Sequence, residues 1–399
     1  MNAPLSKKLN EVKWGEFKIG DLFEKQNLKF KKGKFDKEKD VSRILTEEYS
    51  LPLVNAKDGD NGIMYYGRPE DFENVEMSID IVNDGAVSTG NVYSQPQKTG
   101  VLYNAYLIKS KFELNSSQLH FFTTTIQKSI KLKFSYELKA SWERVKEEFI
   151  QLPEKNDGNI DFDFMEAFIR ELEEERIREL AAYLKVSGFD NYKLSKSESE
   201  ALAHFNELKW KEFNLENLYG KSTRGKRLKS ADRIKGDLPF VTAGEADTGI
   251  SAYIGNEVEI FSKNTTTIDM FGSAKYRNYD YGADDHVAVV HTEKLPKHAA
   301  VFVTAAVHKA SHTGKFDYSN NFYASDADEL NIMLPVTSDD SPDYAFMEAF
   351  ISAVQKLVIK DVVLYADKKI AATKQAVHKN PSDYKTSEGF GTLEVAEHN

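Results

Sequence analysis

Short apolar runs bounded by glycine alternate with polar loops in each half of the chain, which predicts short β-strands. In the first half these runs are Leu51–Val54, Ile63–Tyr66, Ser78–Val82 and Val101–Ile108. In the second half they are Leu238–Val241, Ile250–Ile254, Thr266–Phe271 and His286–Val290. A helix is predicted near Phe121–Ile130 and an equivalent one near Phe302–Lys309. Each half therefore predicts an α/β globule.

Two longer stretches, residues 161–185 and 343–376, repeat apolar side chains every three to five positions, as on one helix face. At 1.5 Å per residue the predicted helices span about 37 Å and about 50 Å. Their apolar faces carry Phe164, Phe168, Leu172, Phe346, Phe350 and Val354. These faces are longer than one small domain covers, so we predict that the two helices pair as an antiparallel coiled coil. Packing of each helix on its own domain is the alternative.

The same landmarks occur twice, in the same order. The hexapeptide Phe164–Ile169 returns unchanged as Phe346–Ile351, 182 positions later. Trp14 and Trp210 each open a Trp-x-Glu-Phe motif. A period near 190 residues is too long for a solenoid and predicts two tandem copies of a whole domain. The predicted boundaries are 1–155 and 210–337 for the globular domains, 156–209 for the first helix with a linker, and 338–399 for the second helix with a tail.

Composition fits two folded domains. Of the 399 residues, 41% are hydrophobic and 12% aromatic, enough for a core in each copy. The chain has no cysteine, which excludes disulfides, cysteine-ligated metals and thiol nucleophiles and favours the reducing cytoplasm. No apolar run approaches the roughly 18 residues of a membrane span, so we expect no membrane partner.

The net charge of −10 by itself argues against nucleic acid, but the charge is unevenly distributed. A phosphate responds to charge within about 10 Å. Residues 25–34 carry five lysines and no acid, and residues 221–235 carry seven cations against Asp232 alone. Either segment alone would be interpreted as a solvated loop. Because the two basic segments lie at corresponding places in the copies, the pattern favours one function common to both segments.

No catalytic motif recurs in both copies. Gly220–Ser222 resembles the end of a phosphate-binding loop, but Leu215 stands where that motif requires glycine. His308 and His312 are four residues apart without the glutamate of a zinc protease, so we interpret them as structural. A duplicated domain without a repeated catalytic group favours binding over catalysis. We predict no catalytic residue, metal or cofactor in this chain.

The order of these landmarks resembles the specificity (S) subunits of type I restriction–modification systems and of the related type IIB, BcgI-like systems. The matching segments are Trp14–Phe23, Trp210–Tyr219, Leu51–Val54, Leu238–Thr242, Thr266–Gly272 and Asp285–Val289. With the closing Leu-Pro and the long helix of each copy, the likeness covers about residues 12–378. Copy one departs from it, because Ser78–Gly85 replaces the more typical Thr-Ile-Asp-x-x-Gly. The base-reading loops of the two copies should therefore differ.

The resemblance implies that each globule is a target recognition domain that reads one half of a split sequence in double-stranded DNA. The helices would hold the domains apart and bind DNA methyltransferase subunits, either fused to or joined by a restriction subunit. The partners would use S-adenosylmethionine, magnesium and, where a translocase is present, ATP. This chain would be a non-catalytic, cytoplasmic subunit.

Candidate DNA contacts are basic and polar residues of the loops, since cations bind phosphates and polar side chains read base edges. For phosphates they are Lys29, Lys31, Lys32, Lys34 and Lys57 in copy one, and Arg224, Lys226, Arg227 and Lys229 in copy two. For bases they are Asn61, Tyr65, Arg68, Ser88, Thr89, Asn91, Arg144, Thr242, Ser273, Lys275, Tyr276 and Arg277. The tryptophans Trp14, Trp142 and Trp210 are predicted to be core anchors.

Two other classes of function stay open from the residues. A duplicated protein–protein scaffold explains the duplication, the acidity and the missing active site, but not the two basic segments. An enzyme such as a nuclease would be established by metal-dependent cleavage by the purified chain alone.

Overall fold

The computed structural model describes residues 3–378, with the side chains of residues 5–372. The described chain forms two compact units, which divide between Leu180 and Ala181. The second unit ends at Ala371, and the last residues of the final helix belong to the first. Each unit contains a mixed α/β domain, here domain one (residues 14–153) and domain two (residues 210–335). The predicted α/β class and the tandem arrangement are confirmed.

Domain one and its flanking segments contain helices α1 (Ala3–Glu11), α2 (Ile19–Leu22), α3 (Lys37–Asp40), α4 (Ser116–Ile130), α5 (Trp142–Val145) and α6 (Phe162–Val186). The strands are β1 (Trp14–Lys18), β2 (Phe23–Lys25), β3 (Val41–Ser42), β4 (Leu51–Val54), β5 (Ile63–Gly67), β6 (Ser78–Val82), β7 (Val92–Gln95), β8 (Gly100–Val101), β9 (Ala105–Ser110) and β10 (Phe149–Pro153). They form two four-stranded sheets, ordered β2-β9-β6-β7 and β3-β5-β4-β8, and a ribbon of β1 and β10.

Domain two and its flanking segments contain helices α7 (Lys196–Ala203), α8 (Leu215–Tyr219), α9 (Lys297–Ser311), α10 (Ala324–Glu329) and α11 (Tyr344–His378). The strands are β11 (Trp210–Asn214), β12 (Thr223–Arg224), β13 (Lys235–Val241), β14 (Ile250–Ile254), β15 (Thr265–Asp269), β16 (Ala274–Arg277), β17 (Gly282–Ala283), β18 (Val287–Val290) and β19 (Asn331–Pro335). They form sheets ordered β12-β18-β15-β16 and β14-β13-β17, and a ribbon of β11 and β19.

Strand register repeats between the domains. Trp14 lies opposite Pro153 in one ribbon, and Trp210 lies opposite Pro335 in the other. The predicted strand Val101–Ile108 is in fact two strands, β8 and β9, because Asn104 adopts a left-handed conformation with φ 68° between them. The other predicted strands and both shorter helices are confirmed, with ends shifted by a few residues.

The first turns of each long helix belong to the core of their own domain. Met165 and Met347 are fully buried, and each lies in the hydrophobic cluster that α4 or α9 forms with the central sheet. The predicted helix-pair residues that pack against these clusters are Phe164, Phe168, Leu172, Phe346 and Phe350. These five residues pack on their own domain, as the alternative predicts. Pairing between the helices concerns the relation of the two units and stays a prediction. Among the described residues, no helix is both long and apolar enough to cross a membrane.

A buried ion pair anchors the linker before domain two. Ser195 caps α7 through its Oγ, which accepts from Glu198 N at 3.3 Å. The Glu198 carboxylate is 6% exposed and accepts from Ser352 Oγ at 2.6 Å and from Lys356 Nζ at 2.9 Å, both on α11. Burial opposes ionisation of Glu198, but these hydrogen bonds outweigh it and lower the pKa of Glu198 to about 2. The linker helix is thereby fixed to α11.

We expect E198Q to destabilise this unit most strongly at neutral pH. The pKa of Glu198 falls from 4.5 to about 2 on folding. The contribution of ionised Glu198 to the free energy of unfolding is therefore fully present above pH 4.5, and it is lost as the pH falls through 2. A shift of this size is worth about 3 kcal/mol. Thermal unfolding at pH 7 and pH 3 should show the larger difference from the natural chain at pH 7. E200Q, on the exposed side of α7, is the control, and an equal E198Q effect at both pH values would contradict the assignment.

Candidate nucleic-acid interface and paired grooves

The basic segment of domain two lies beside the loop that joins β13 to β14. Leu228 N donates to Asp284 Oδ1 at 3.3 Å, and Asp284 N donates to Val241 O at 2.9 Å. The segment therefore borders the end of β13, where loop 242–249 begins. Four predicted phosphate ligands of this segment are exposed and form no ion pair within the described part of the chain: Arg224, Lys226, Arg227 and Lys229. Their charges are available to a ligand.

In domain one, two of the predicted phosphate ligands already form ion pairs within the domain. Lys32 pairs with the buried Asp71 at 2.6 Å. Lys57 pairs with Asp60 at 2.6 Å and also donates to Ile63 O at 3.0 Å. Three predicted phosphate ligands are exposed, and their side chains have no ion-pair partner among residues 5–372: Lys29, Lys31 and Lys34. These three carry the available charge.

Trp14 and Trp210 are not core anchors, so that prediction is wrong. Their side chains are 38% and 37% exposed, because each lies in a two-stranded ribbon at the margin of its domain. The ring of Trp14 stacks on Phe121 at a centroid distance of 6.4 Å, and the ring of Trp210 stacks on Phe302 at 6.2 Å. Each tryptophan thus forms part of an open surface.

That surface is an apolar groove, present once in each unit. Groove one has a volume of about 750 Å³ and groove two of about 710 Å³. Residues at equivalent positions line both: Trp14 and Trp210, Phe121 and Phe302, Phe168 and Phe350, Ile169 and Ile351, Lys128 and Lys309. Three predicted partner-interface residues, Phe168, Leu172 and Phe350, are among the lining residues. The duplication has therefore preserved a recess as well as a fold.

The model of the type I restriction modification DNA specificity domain matches this chain twice, at residues 11–182 and 207–364. The chain belongs to this family. It is also 25% identical, over 365 residues, to the type II restriction enzyme specificity subunit S.BcgI of Heyndrickxia coagulans, covering 88% of this chain and 97% of that one. In fold it is similar to the crystal structure of a type I restriction–modification S subunit from M. genitalium, at 16% identity and TM-score 0.57, over 92% and 94% of the two chains.

Membership in the family identifies domains one and two as DNA specificity domains, as the resemblance predicted. The chain is a DNA-recognition subunit of a restriction–modification system rather than a duplicated protein scaffold.

Several predicted base contacts are enclosed within their specificity domain. Arg277 is 1% exposed, and its guanidinium donates to Thr267 Oγ1 at 2.9 Å and to Thr248 O at 2.8 Å. The other enclosed residues are Tyr65, Ser88, Thr89, Asn91 and Ser273. In this structure these side chains support the domain from within. Their contact with bases stays a prediction.

The remaining predicted base contacts keep some exposed surface: Asn61, Arg68, Arg144, Thr242, Lys275 and Tyr276. Arg144 is exposed and donates to Lys139 O at 3.0 Å. Lys275 pairs with Glu245 at 3.2 Å. Trp142 is half-buried against the core of domain one, as predicted. Arg144 is thus accessible to DNA, whereas the charge of Lys275 is already balanced.

Within the described residues, one group has the geometry to hold a metal ion. Ligand atoms of Asp284–His286 lie within 4.8 Å of one another. Asp284 already accepts a backbone hydrogen bond from the basic segment. The equivalent residues of domain one are Leu102–Asn104, since β8 and β17 occupy the same register against β4 and β13. Because the duplicate lacks these ligands, we assign no metal to the shared function.

Proposed function

We propose that this chain is the non-catalytic subunit that reads a bipartite DNA target, with one half-site for each specificity domain. The observation that supports this most strongly is one fold used twice with different loops. The residue before Gly62 is Asn61, whereas the residue before the equivalent Gly249 is Thr248. Phosphate contacts position such domains, and base contacts specify the sequence. Two domains with different loops favour two different half-sites.

The long helices are suited to act as spacers. Each begins inside the core of its own domain, which fixes the first turns of the helix to that domain. Helix α6 has 25 residues and α11 has 35, which correspond to about 37 Å and about 52 Å. We propose that they convert protein length into a fixed gap between the half-sites. The predicted antiparallel pairing of the helices is part of this proposal.

We further propose that the two grooves bind the same segment of two DNA methyltransferase subunits. An amphipathic helix can lay its apolar face into an apolar groove of this kind. Lys128 and Lys309 line the two grooves, so an acidic residue on the bound segment would be favoured. The methyltransferase would use S-adenosylmethionine, and the restriction subunit, fused to it or joined to it, would use magnesium and, where a translocase is present, ATP. We propose the cytoplasm as the place of assembly.

Selection from a pool of randomised duplexes tests the proposal. The chain, assembled with the methyltransferase of its own system, should enrich two short blocks separated by a constant gap. Omission of the chain should abolish the enrichment. Enrichment of a single block, or of none, by a soluble assembled complex would contradict two half-sites.

A further inference from the structure

Both domains contain a hairpin loop with three successive left-handed residues. In domain one, Asp60–Gly62 between β4 and β5 have φ angles of 45°, 54° and 74°. In domain two, Asp247–Gly249 between β13 and β14 have φ angles of 47°, 54° and 85°. Residues other than glycine rarely adopt this conformation. Such strain persists only where the surrounding structure enforces it. Both copies keep the same unfavourable backbone conformation, which indicates that the loop has a function.

A buried side chain from the neighbouring sheet holds each loop. Gln95 Nε2 donates to Asn61 O at 2.7 Å, and Arg277 Nη1 donates to Thr248 O at 2.8 Å. Gln95 and Arg277 are the last residues of β7 and β16, which take equivalent places in the two domains. Both are enclosed, at 0% and 1% exposure. Two different side chains thus make the same bond to the same loop position.

The layer beneath the loops differs between the domains. In domain two, Arg277 also donates to Thr267 Oγ1 at 2.9 Å. The equivalent of Thr267 in domain one is Asp80, which is 0% exposed, and neither of its carboxylate oxygens has a hydrogen-bond partner within residues 5–372. A Cβ at Gly62 would collide with this carboxyl, so the loop rests directly on Asp80. Each loop is therefore supported from below by buried polar side chains that differ between the domains: Gln95 and Asp80 in one, Arg277 and Thr267 in the other.

In domain two the loop projects beside the available basic charge. Asp247 and Thr248 are exposed, and their side chains have no hydrogen-bond partner among the described residues. Thr242 N donates to Gly249 O at 2.9 Å, which ties the loop to the end of β13. The basic segment borders that end, and Arg233 Nη1 donates to Ser251 Oγ at 3.2 Å just after the loop. The two ends of the loop that carries these short polar side chains are thus bonded to the basic segment, directly or through Asp284.

We propose that Asp247 and Thr248 read base edges of one half-site, and that Arg277 positions their loop. The inference rests on the proposed function and extends it to particular residues. A carboxylate accepts a hydrogen bond from a base amino group, and a threonine hydroxyl can donate or accept. An acid near phosphates is repelled unless a base satisfies it, so Asp247 selects a base with an amino donor. Asp60–Gly62 with Gln95 is the counterpart in domain one, where Asp60 is paired with Lys57 at 2.6 Å.

The test is the D247A/T248A chain, assembled with its methyltransferase and selected against randomised duplexes. The most constrained position of one block should lose about tenfold in preference. The other block and the gap should stay unchanged, which makes domain one an internal control. Two unchanged blocks would overturn the assignment. If the natural chain itself enriches no split motif, the proposed function fails instead, so the two failures are distinguishable.

The role of Arg277 as a positioning residue is tested with R277Q, which copies domain one, and R277K, which keeps the charge. R277Q should relax the base preference of the same block as D247A/T248A. R277K should keep part of that preference. Thermal unfolding measures the stability of each variant. A fall in melting temperature with both blocks preserved would make Arg277 purely structural and would overturn this part of the proposal.

Discussion

K226E/R227E should weaken binding of the assembled complex to its DNA by about 100-fold or more near physiological salt. Both cations are exposed and form no ion pair among the described residues. Each phosphate contact contributes about 0.9 to the slope of log affinity against log salt, because bound counterions are released. Loss of two contacts should therefore flatten the slope by about 1.8. Titration of a labelled duplex at several salt concentrations measures both quantities.

The matched variant in domain one is K31E/K34E, and it should act in the same way. Lys32 is unsuitable, because its reversal would place an acid beside the buried Asp71. R170E/R178E, at two exposed positions of α6, makes the same change in net charge outside both basic segments and is the control. An equal loss in the control would show that K226E/R227E acts through overall charge and would contradict a local phosphate site.

Filling the grooves with T124R/A305R should reduce the affinity for the methyltransferase by about 100-fold or more, comparable to the loss of a central interface residue. Thr124 on α4 and Ala305 on α9 are exposed and line groove one and groove two. An arginine at either site occupies the recess without disturbing a core. Sedimentation with purified methyltransferase should show no complex for the double variant. Each single variant should lose one bound copy.

S116R and T313R place the same side chain at exposed positions near the ends of α4 and α9, outside the lining of both grooves. They should assemble normally. Unchanged assembly of T124R/A305R would contradict docking in the grooves. Loss of assembly in S116R and T313R as well would point to a nonspecific effect of added charge.

The sequence predicted the architecture well, because strand alternation, helix periodicity and the duplicated landmarks are local signals. The predictions from sequence were wrong where the position of a residue in the tertiary structure decides whether its side chain is buried. Trp14 and Trp210 are large and apolar, which favours a core, but their ribbon is at the margin of the domain and leaves them about one-third exposed. The recess beside each ring is lined by four separated segments of the chain, so no local pattern could reveal the grooves.

The candidate DNA site was predictable in its charge but not in its geometry. The basic segments are exposed as charge alone suggests. Arg277 carries the residue type of a base reader, yet the fold encloses it beneath a loop. The exposed pair Asp247 and Thr248 was missed, because the only sequence signal is the glycine that follows them. Consecutive left-handed residues without glycine become visible only in the backbone angles.

Methylation mapping tests the central claim most directly. The chain and the methyltransferase of its own system would be expressed in a methylation-free host, and modified adenines would be mapped across the genome. We predict a split motif with a fixed gap that disappears when this chain is omitted. Absence of chain-dependent methylation, with both proteins folded and associated, would contradict the account that this chain supplies sequence specificity.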